Sequence, residues 1–281
     1  MTRLRTATAL ALALLAAPAM VSAQEATSLL DTSADATASE ATFSTQGTRQ
    51  RGFVFSLRGG VGMEPKYLGS DEYGVTPDLG FRFHGLRLSD GLDFGDSDAW
   101  NDFRGFDVHG SFDYIGKRDA SEYDDLDGMD DIDATVELGM GVGYTAENYR
   151  TYADVRRGFG GHEGWVGEAG FDFISRPTSD WRLSMGPRLY WGNDEVADTY
   201  FGVSASEATG DRPAYDADGG LLGAGAEFVA RYQINRDWGL EGGVEYRSLL
   251  NDAADSPIVD DGAQDQWSVR FGVIRVVRLN F

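Results

Sequence analysis

Phe271-Gly272-Val273-Ile274-Arg275-Val276-Val277-Arg278-Leu279-Asn280-Phe281 is a near-alternating run that ends on an aromatic residue, and its period decides the fold. Successive side chains of a strand point to opposite faces. Trp267, Val269, Phe271, Val273, Val277, Leu279 and Phe281 therefore share one face, and Gln266, Ser268, Arg270, Gly272, Arg278 and Asn280 the other. An outer-membrane strand presents apolar residues to lipid and polar ones to a wet lumen in this way. Arg275 interrupts the apolar face and is expected to snorkel or to sit beside a bulge. Phe281 is the expected C-terminal signal for the barrel-assembly machinery. A lone strand of this kind also ends many soluble sandwiches, so the rest of the chain has to decide.

The opposite terminus points the same way. Arg3 and Arg5 precede an apolar run from Ala7 through Met20, followed by Val21-Ser22-Ala23 ahead of Gln24. This is the pattern of a secretory signal peptide over residues 1–23, with cleavage expected after Ala23. The run is too short and Ala-rich for a spanning helix, which needs roughly 20 apolar residues. No later stretch is long and apolar enough to cross as a helix, so a membrane reading requires a closed barrel.

Composition narrows the function. The 37 glycines against seven prolines, with 12% aromatics, suit close-packed twisted strands with aromatic girdles. With no cysteine, structural disulfides and thiolate metal sites are excluded. A formal charge of −22 argues against nucleic acid and polyanionic substrates as partners. Removal of residues 1–23 would take away Arg3 and Arg5 and no acid, making the remainder more acidic still. The expected surroundings are outer-membrane lipid and lipopolysaccharide, whose phosphates an acidic surface would meet through divalent cations.

Residues 24–51 are rich in Ser, Thr, Ala and acids, the composition of a disordered periplasmic lead-in. Alternation governs residues 52–281. Phe53, Phe55, Leu57 and Val61 share a face, as do Val75, Pro77, Leu79, Phe81 and Phe83. The parity then flips at Gly85, after which Leu86, Leu88, Leu92 and Phe94 line up, marking a tight turn or a bulge. Further runs are Phe106 to Tyr114, with Asp107, His109, Ser111 and Asp113 opposite, then Val136 to Tyr144, Tyr149 to Val155, Trp165 to Phe173, Trp181 to Trp191, Leu222 to Tyr232 and Trp238 to Tyr246.

The connections at 146–148, 176–180 and 234–237 are short, and those at 116–131, 192–220 and 250–265 are long. Barrels of this class place short turns in the periplasm and long loops outside. The expectation is an all-β, transmembrane, antiparallel up-and-down β-barrel. It has about ten strands if residues 74–94 form one long bulged strand, and twelve if Gly85 is a hairpin turn.

The face assigned to the lumen interleaves both signs of charge. Arg58, Arg82, Arg150, Arg156, Arg182, Arg188, Arg231, Arg247 and Arg270 share it with Asp78, Glu137, Asp154, Glu168, Asp172, Glu227, Glu241 and Glu245. Such residues form either an ion-pair lattice that fills a narrow barrel or the opposed charge ladders of a small ion-conducting pore. The two readings share residues and differ in whether water passes.

Catalytic and metal signals are poor. His162 and Glu163 begin like a zinc-protease helix, but Val166 stands where the second histidine is required, and flanking glycines oppose a helix. His162 beside Glu163 is the one rim candidate for hydrolysis, and it is weak. The acidic stretch from Asp119 to Asp133 lacks the ligand spacing of a calcium loop. No enzyme, metal or cofactor is expected.

The connecting segments carry a resemblance. Pro65, Tyr67, Gly69, Ser70 and Asp71, then Gly160, Gly161, His162, Glu163 and Gly164, then Thr199, Tyr200, Phe201 and Gly202, then Pro213, Ala214, Tyr215 and Asp216, and the stretch from Asp252 to Val259 with Asp255, Ser256 and Pro257, closely resemble the MipA/OmpV family. The resemblance runs from about residue 52 to 281 and is weakest over 86–130. It implies an outer-membrane barrel. Some relatives serve as scaffolds that bring a lytic murein transglycosylase together with a bifunctional peptidoglycan synthase, and others are known as antigens or permeability-linked proteins. No residue set for the scaffold role carries over. The family-like segments fall mostly in the expected external loops, whereas murein enzymes work in the periplasm. A scaffold would thus have to use the short turns or residues 24–50.

Overall fold

The computed structural model describes residues 51–87, 93–95, 99–100 and 104–281. The expected signal peptide and almost all of the expected lead-in lie outside them. Eleven strands form one antiparallel sheet: β1 (Gly52–Pro65), β2 (Tyr73–Arg87), β3 (Asp93–Gly95), β4 (Gly105–Ile115), β5 (Thr135–Thr145), β6 (Tyr149–Gly160), β7 (Trp165–Ser175), β8 (Trp181–Gly192), β9 (Gly220–Gln233), β10 (Trp238–Leu249) and β11 (Asp265–Asn280). Ten are long, with 11 to 16 residues each. That is enough to cross a bilayer when tilted. Two helices, α1 (Asp194–Phe201) and α2 (Pro257–Asp261), lie in the long loops.

The sheet curls so that β11 joins its two halves, pairing with β10 on one side and β1 on the other; Phe53 stands opposite Leu279, and Leu240 opposite Val273. Every other consecutive pair from β4 to β10 is a hydrogen-bonded hairpin. Among the described residues no ladder joins β2 or β3 to β4, so the seam of the barrel lies there.

The parity change near Gly85 is a bulge. Val54 pairs with Gly85 and Phe55 with Phe83, leaving His84 as the extra residue. The strand expected over 74–94 is corrected in its last part. β2 stops at Arg87, and β3 folds back antiparallel onto Gly85, Leu86 and Arg87. Asp90-Gly91, a turn-favouring pair, lies between them and interrupts the apolar alternation. The count of long strands is ten, with no hairpin at Gly85.

The outer surface is apolar and exposed, as a lipid-facing band must be. Val75 is 77% exposed and Phe106 is 73% exposed. Aromatic residues ring both ends of this band. At the short-turn end Trp181 packs on Tyr232 with centroids 4.9 Å apart, and at the long-loop end Tyr246 packs on Trp267 at 4.9 Å. Arg275 does face outward, its guanidinium 4.6 Å from the Trp238 ring centre and 3.8 Å from Asp237. Leu222 departs from the expected outward run. A register shift beside Tyr190 and Trp191 puts Leu221 outside and buries Leu222 beneath the long loops. Glycine permits the tightest strand contact, because a Cβ on Gly186 would lie 1.6 Å from the Phe171 carbonyl oxygen.

Candidate functional site

The inward positions of the strands carry the charges, and the structure groups them into networks. In the first, Glu241 accepts from both Arg58 and Arg231, whose Nε lies 2.9 Å away, and Arg58 also reaches Asp78 at 2.7 Å. In the second, Arg188 bridges Asp172 at 2.7 Å and Glu227 at 2.6 Å, and Glu227 continues to Arg270. In the third, Arg247 pairs with Glu245 at 2.9 Å and lies over the Tyr190 ring, while the Tyr190 hydroxyl donates to the same carboxylate at 2.7 Å.

The fourth network is the largest and joins β4 to β7. Arg156 donates to Glu137 at 2.8 Å and to Ser111 at 3.2 Å, and lies 3.4 Å from Glu168. The Tyr152 hydroxyl donates to Glu168 at 2.6 Å. His109 sits between Asp107 at 2.7 Å and Asp154 at 3.0 Å, and Ser111 donates to Asp154 at 2.8 Å. His109, Ser111 and Tyr152 were not singled out from the sequence, although parity placed each on the inner face. Neutral or singly charged, they stand out less than a carboxylate or guanidinium.

The remaining arginines lie toward the short-turn end. Arg182 faces Arg231 directly across the β8–β9 ladder, a like-charge pair. Arg150 stacks over Tyr152 at 5.0 Å. Arg82 is exposed inside the barrel and lies within electrostatic reach of Arg231, Arg150 and Arg182. The same end carries an apolar patch. Ile274 and Val276 point inward and pack on Ala99, while the Trp100 indole donates to the Arg236 carbonyl at 2.9 Å.

The family-like segments form a cap over the other mouth. Tyr200 and Phe201 on α1 are 4% and 2% exposed and pack with Leu222, Leu249, Ala253 and Val259. Tyr67, Leu126, Met129, Val203 and Ile258 make a second apolar cluster beside it. Ser256 caps α2, accepting from Ile258 N–H and donating to the Phe201 carbonyl at 2.6 Å, with Pro257 in the first turn. The Tyr215 hydroxyl donates to the Asp252 carbonyl at 2.9 Å. Gly69 adopts φ +95°, and Ser70 is buried beside it. Asp71, Asp216 and Asp255 are exposed.

His162 lies under this cap, not at a rim. It is 2% exposed, its Nε2 is 3.2 Å from Glu137, its Nδ1 accepts from Gly164 N–H at 3.2 Å, and its ring meets Tyr200 edge-on. Gly158 leaves room for that ring, since a Cβ there would come within 2.2 Å of it. Glu163 is exposed, and its backbone N–H donates to Glu195. The sequence pair His162-Glu163 is thus separated, and the carboxylate partner comes from β5. Among the described residues no group of three or more His, Asp or Glu side chains is placed to hold a metal ion.

An up-and-down sheet with an apolar outside and a charged inside defines the class of outer-membrane β-barrels, a kind of protein generally not catalytic. Residues 57–277 match the family described as MltA-interacting protein MipA, and the chain belongs to that family. Outer membrane protein OmpV of Vibrio cholerae serotype O1 is 30% identical over 156 residues, covering 54% of this chain and 58% of that protein. The chain therefore matches somewhat over half the length of that relative. Among solved structures, the outer membrane protein OprG from Pseudomonas aeruginosa is 10% identical with a TM-score of 0.28, covering 81% of this chain and 97% of that one. The CymD monoaromatic hydrocarbon channel is 10% identical with a TM-score of 0.31, covering 84% and 90%. Likeness at that level carries no argument about function. Family and relative together place the chain in the outer membrane.

Proposed function

We propose that this chain is a non-enzymatic, closed outer-membrane barrel that serves as a docking platform for a periplasmic lytic murein transglycosylase of the MltA type, with a peptidoglycan synthase as second client. The observation that carries this reading is the cap. Two apolar clusters built from Tyr67, Leu126, Tyr200, Phe201 and Ile258 lie over the long-loop mouth, and beneath them Arg156, Arg188 and Arg231 are each paired with a carboxylate across the interior. A barrel so filled is better suited to present a rigid surface than to pass solute. The long-loop end faces outward by the loop-length rule, which leaves the short turns and residues 24–51 to meet periplasmic partners.

The expected result is retention of a lytic murein transglycosylase by the immobilised full chain, with no ion conduction when the refolded chain is placed in a planar bilayer. Loss of that retention on deletion of residues 24–50, with the barrel still folded, would assign the contact to that segment. Failure of the full chain to retain the enzyme overturns the platform. Steady, salt-dependent current steps favour the second reading, a small pore. That reading draws on Arg82 and Asp113, which are inward-facing yet exposed to solvent inside the barrel.

A further inference from the structure

The short-turn half of the barrel gathers cations on its inner wall. Arg82 on β2, Arg150 on β6, Arg182 on β8 and Arg231 on β9 all occupy inward positions near this end. β2 is not a ladder neighbour of β6, β8 or β9, so Arg82 comes within electrostatic reach of the other three across the lumen. Arg182 stands opposite Arg231 in the β8–β9 ladder, and like charges so placed repel.

Among the described residues, the inward carboxylates around them are engaged elsewhere. Asp78 is 2.7 Å from Arg58, Asp172 is 2.7 Å from Arg188, His109 lies between Asp107 and Asp154, and Glu241 serves Arg58 and Arg231. Arg82 and Arg150 are left over. Neither guanidinium makes a hydrogen bond or an ion pair among the described residues, and Arg150 rests on the Tyr152 ring at 5.0 Å. Arg82 is exposed and Arg150 half-buried, so the donors of both are open to solvent inside the barrel. A guanidinium is a planar fork of donors that matches the edge of an oxyanion, and a cleft walled by one sign of charge concentrates the opposite ion.

We propose that the short-turn half of the lumen binds a phosphate group, as the free ion or on a small phosphomonoester, with Arg82 and Arg150 as direct donors from separate walls. Arg182 and Arg231 add to the field that holds it. By the loop-length rule this end faces the periplasm, and a site that binds without passing its ligand onward needs one entrance, so the cap over the other mouth does not oppose it.

The test is calorimetric titration of the full chain, refolded in an uncharged detergent, with inorganic phosphate, β-glycerophosphate and chloride. Phosphate is expected to bind at least about tenfold more tightly than chloride, a difference of about 1.4 kcal/mol. Arg82→Gln and Arg150→Gln remove groups that no hydrogen bond ties to the fold, and each should weaken phosphate binding about tenfold. Arg157→Gln, which makes the same change of net charge on the outer face of β6, should leave that binding unchanged. Binding of β-glycerophosphate alongside phosphate assigns the site to phosphomonoesters, and its exclusion assigns the site to the free ion. Absence of phosphate binding, equal binding of chloride, indifference to both Arg82 and Arg150, or an equal loss in all three variants overturns the proposal.

Discussion

His162 Nε2 and Glu137 Oε1 stand 3.2 Å apart, joining the loop between β6 and β7 to the inner face of β5 in a place where the histidine side chain is wholly buried. Glu137 is shared with Arg156, and the His162 ring rests against Tyr200 of α1. One side chain therefore couples the cap to the charged interior.

Replacing His162 with Ala removes that coupling and leaves a hole beneath Tyr200. A buried group deprived of its partner costs about 1–3 kcal/mol. The cap, more than the barrel, should loosen, and trypsin should cut sooner at Arg118 and Arg212, both now buried. Unaltered protease resistance would show that the apolar clusters hold the cap unaided.

Glu241→Gln tests the interior. Its side chain is 4% exposed and serves Arg58 and Arg231 together. Removing the shared anion from a buried network costs about 3–5 kcal/mol. Urea unfolding in lipid vesicles should register that loss, whereas Asp78→Asn, which serves Arg58 alone, should cost less.

The cap should hold best between acid and alkaline limits. Burial alone would push the Glu207 carboxyl up, but the N–H groups of Asp130 and Ser204 outweigh it and hold the carboxyl below the ordinary glutamate range. A carboxyl depressed in the folded state adds stability above its unfolded pKa of about 4.3, and that stability fades as pH falls through the folded value. At the other limit, burial pushes the Tyr200 phenol up to about 12 from 10.0. Its contribution is full below the unfolded value and is lost as pH rises through the folded one. Near-ultraviolet circular dichroism against pH should show both limits, and Glu207→Gln should flatten the acid one.

The seam beside β4 should be visible in amide exchange. β4 has a described ladder only with β5, whereas β8 is paired on both sides. Amides of β4 that point away from β5 should exchange faster than any in the middle of β8, because an unpaired edge is the first part of a sheet to open. Equal protection would mean that β2 and β4 are bridged in solution.

Much of the fold was legible in the sequence because a strand's period of two is a local property. The alternation through Val136 to Tyr144 or Trp267 to Phe281 fixes which side chains meet lipid before any partner strand is known, and loop lengths then order the hairpins. The parity flip at Gly85 already marked the irregularity that the structure shows as a bulge at His84, whereas the shift beside Trp191 left no such mark and misplaced Leu222, because the extra residue shows only in the pairing of β8 with β9. The inward charges were legible by parity too. Which arginine meets which carboxylate was not, because the register between strands and the curl of the sheet bring together residues as distant as Arg58 and Glu241. The cap belonged to the tertiary structure altogether. Leu126, Phe201 and Ile258 come from three loops with no common period, and only the barrel mouth beneath them, which holds the loop ends close, brings them into two adjoining apolar clusters.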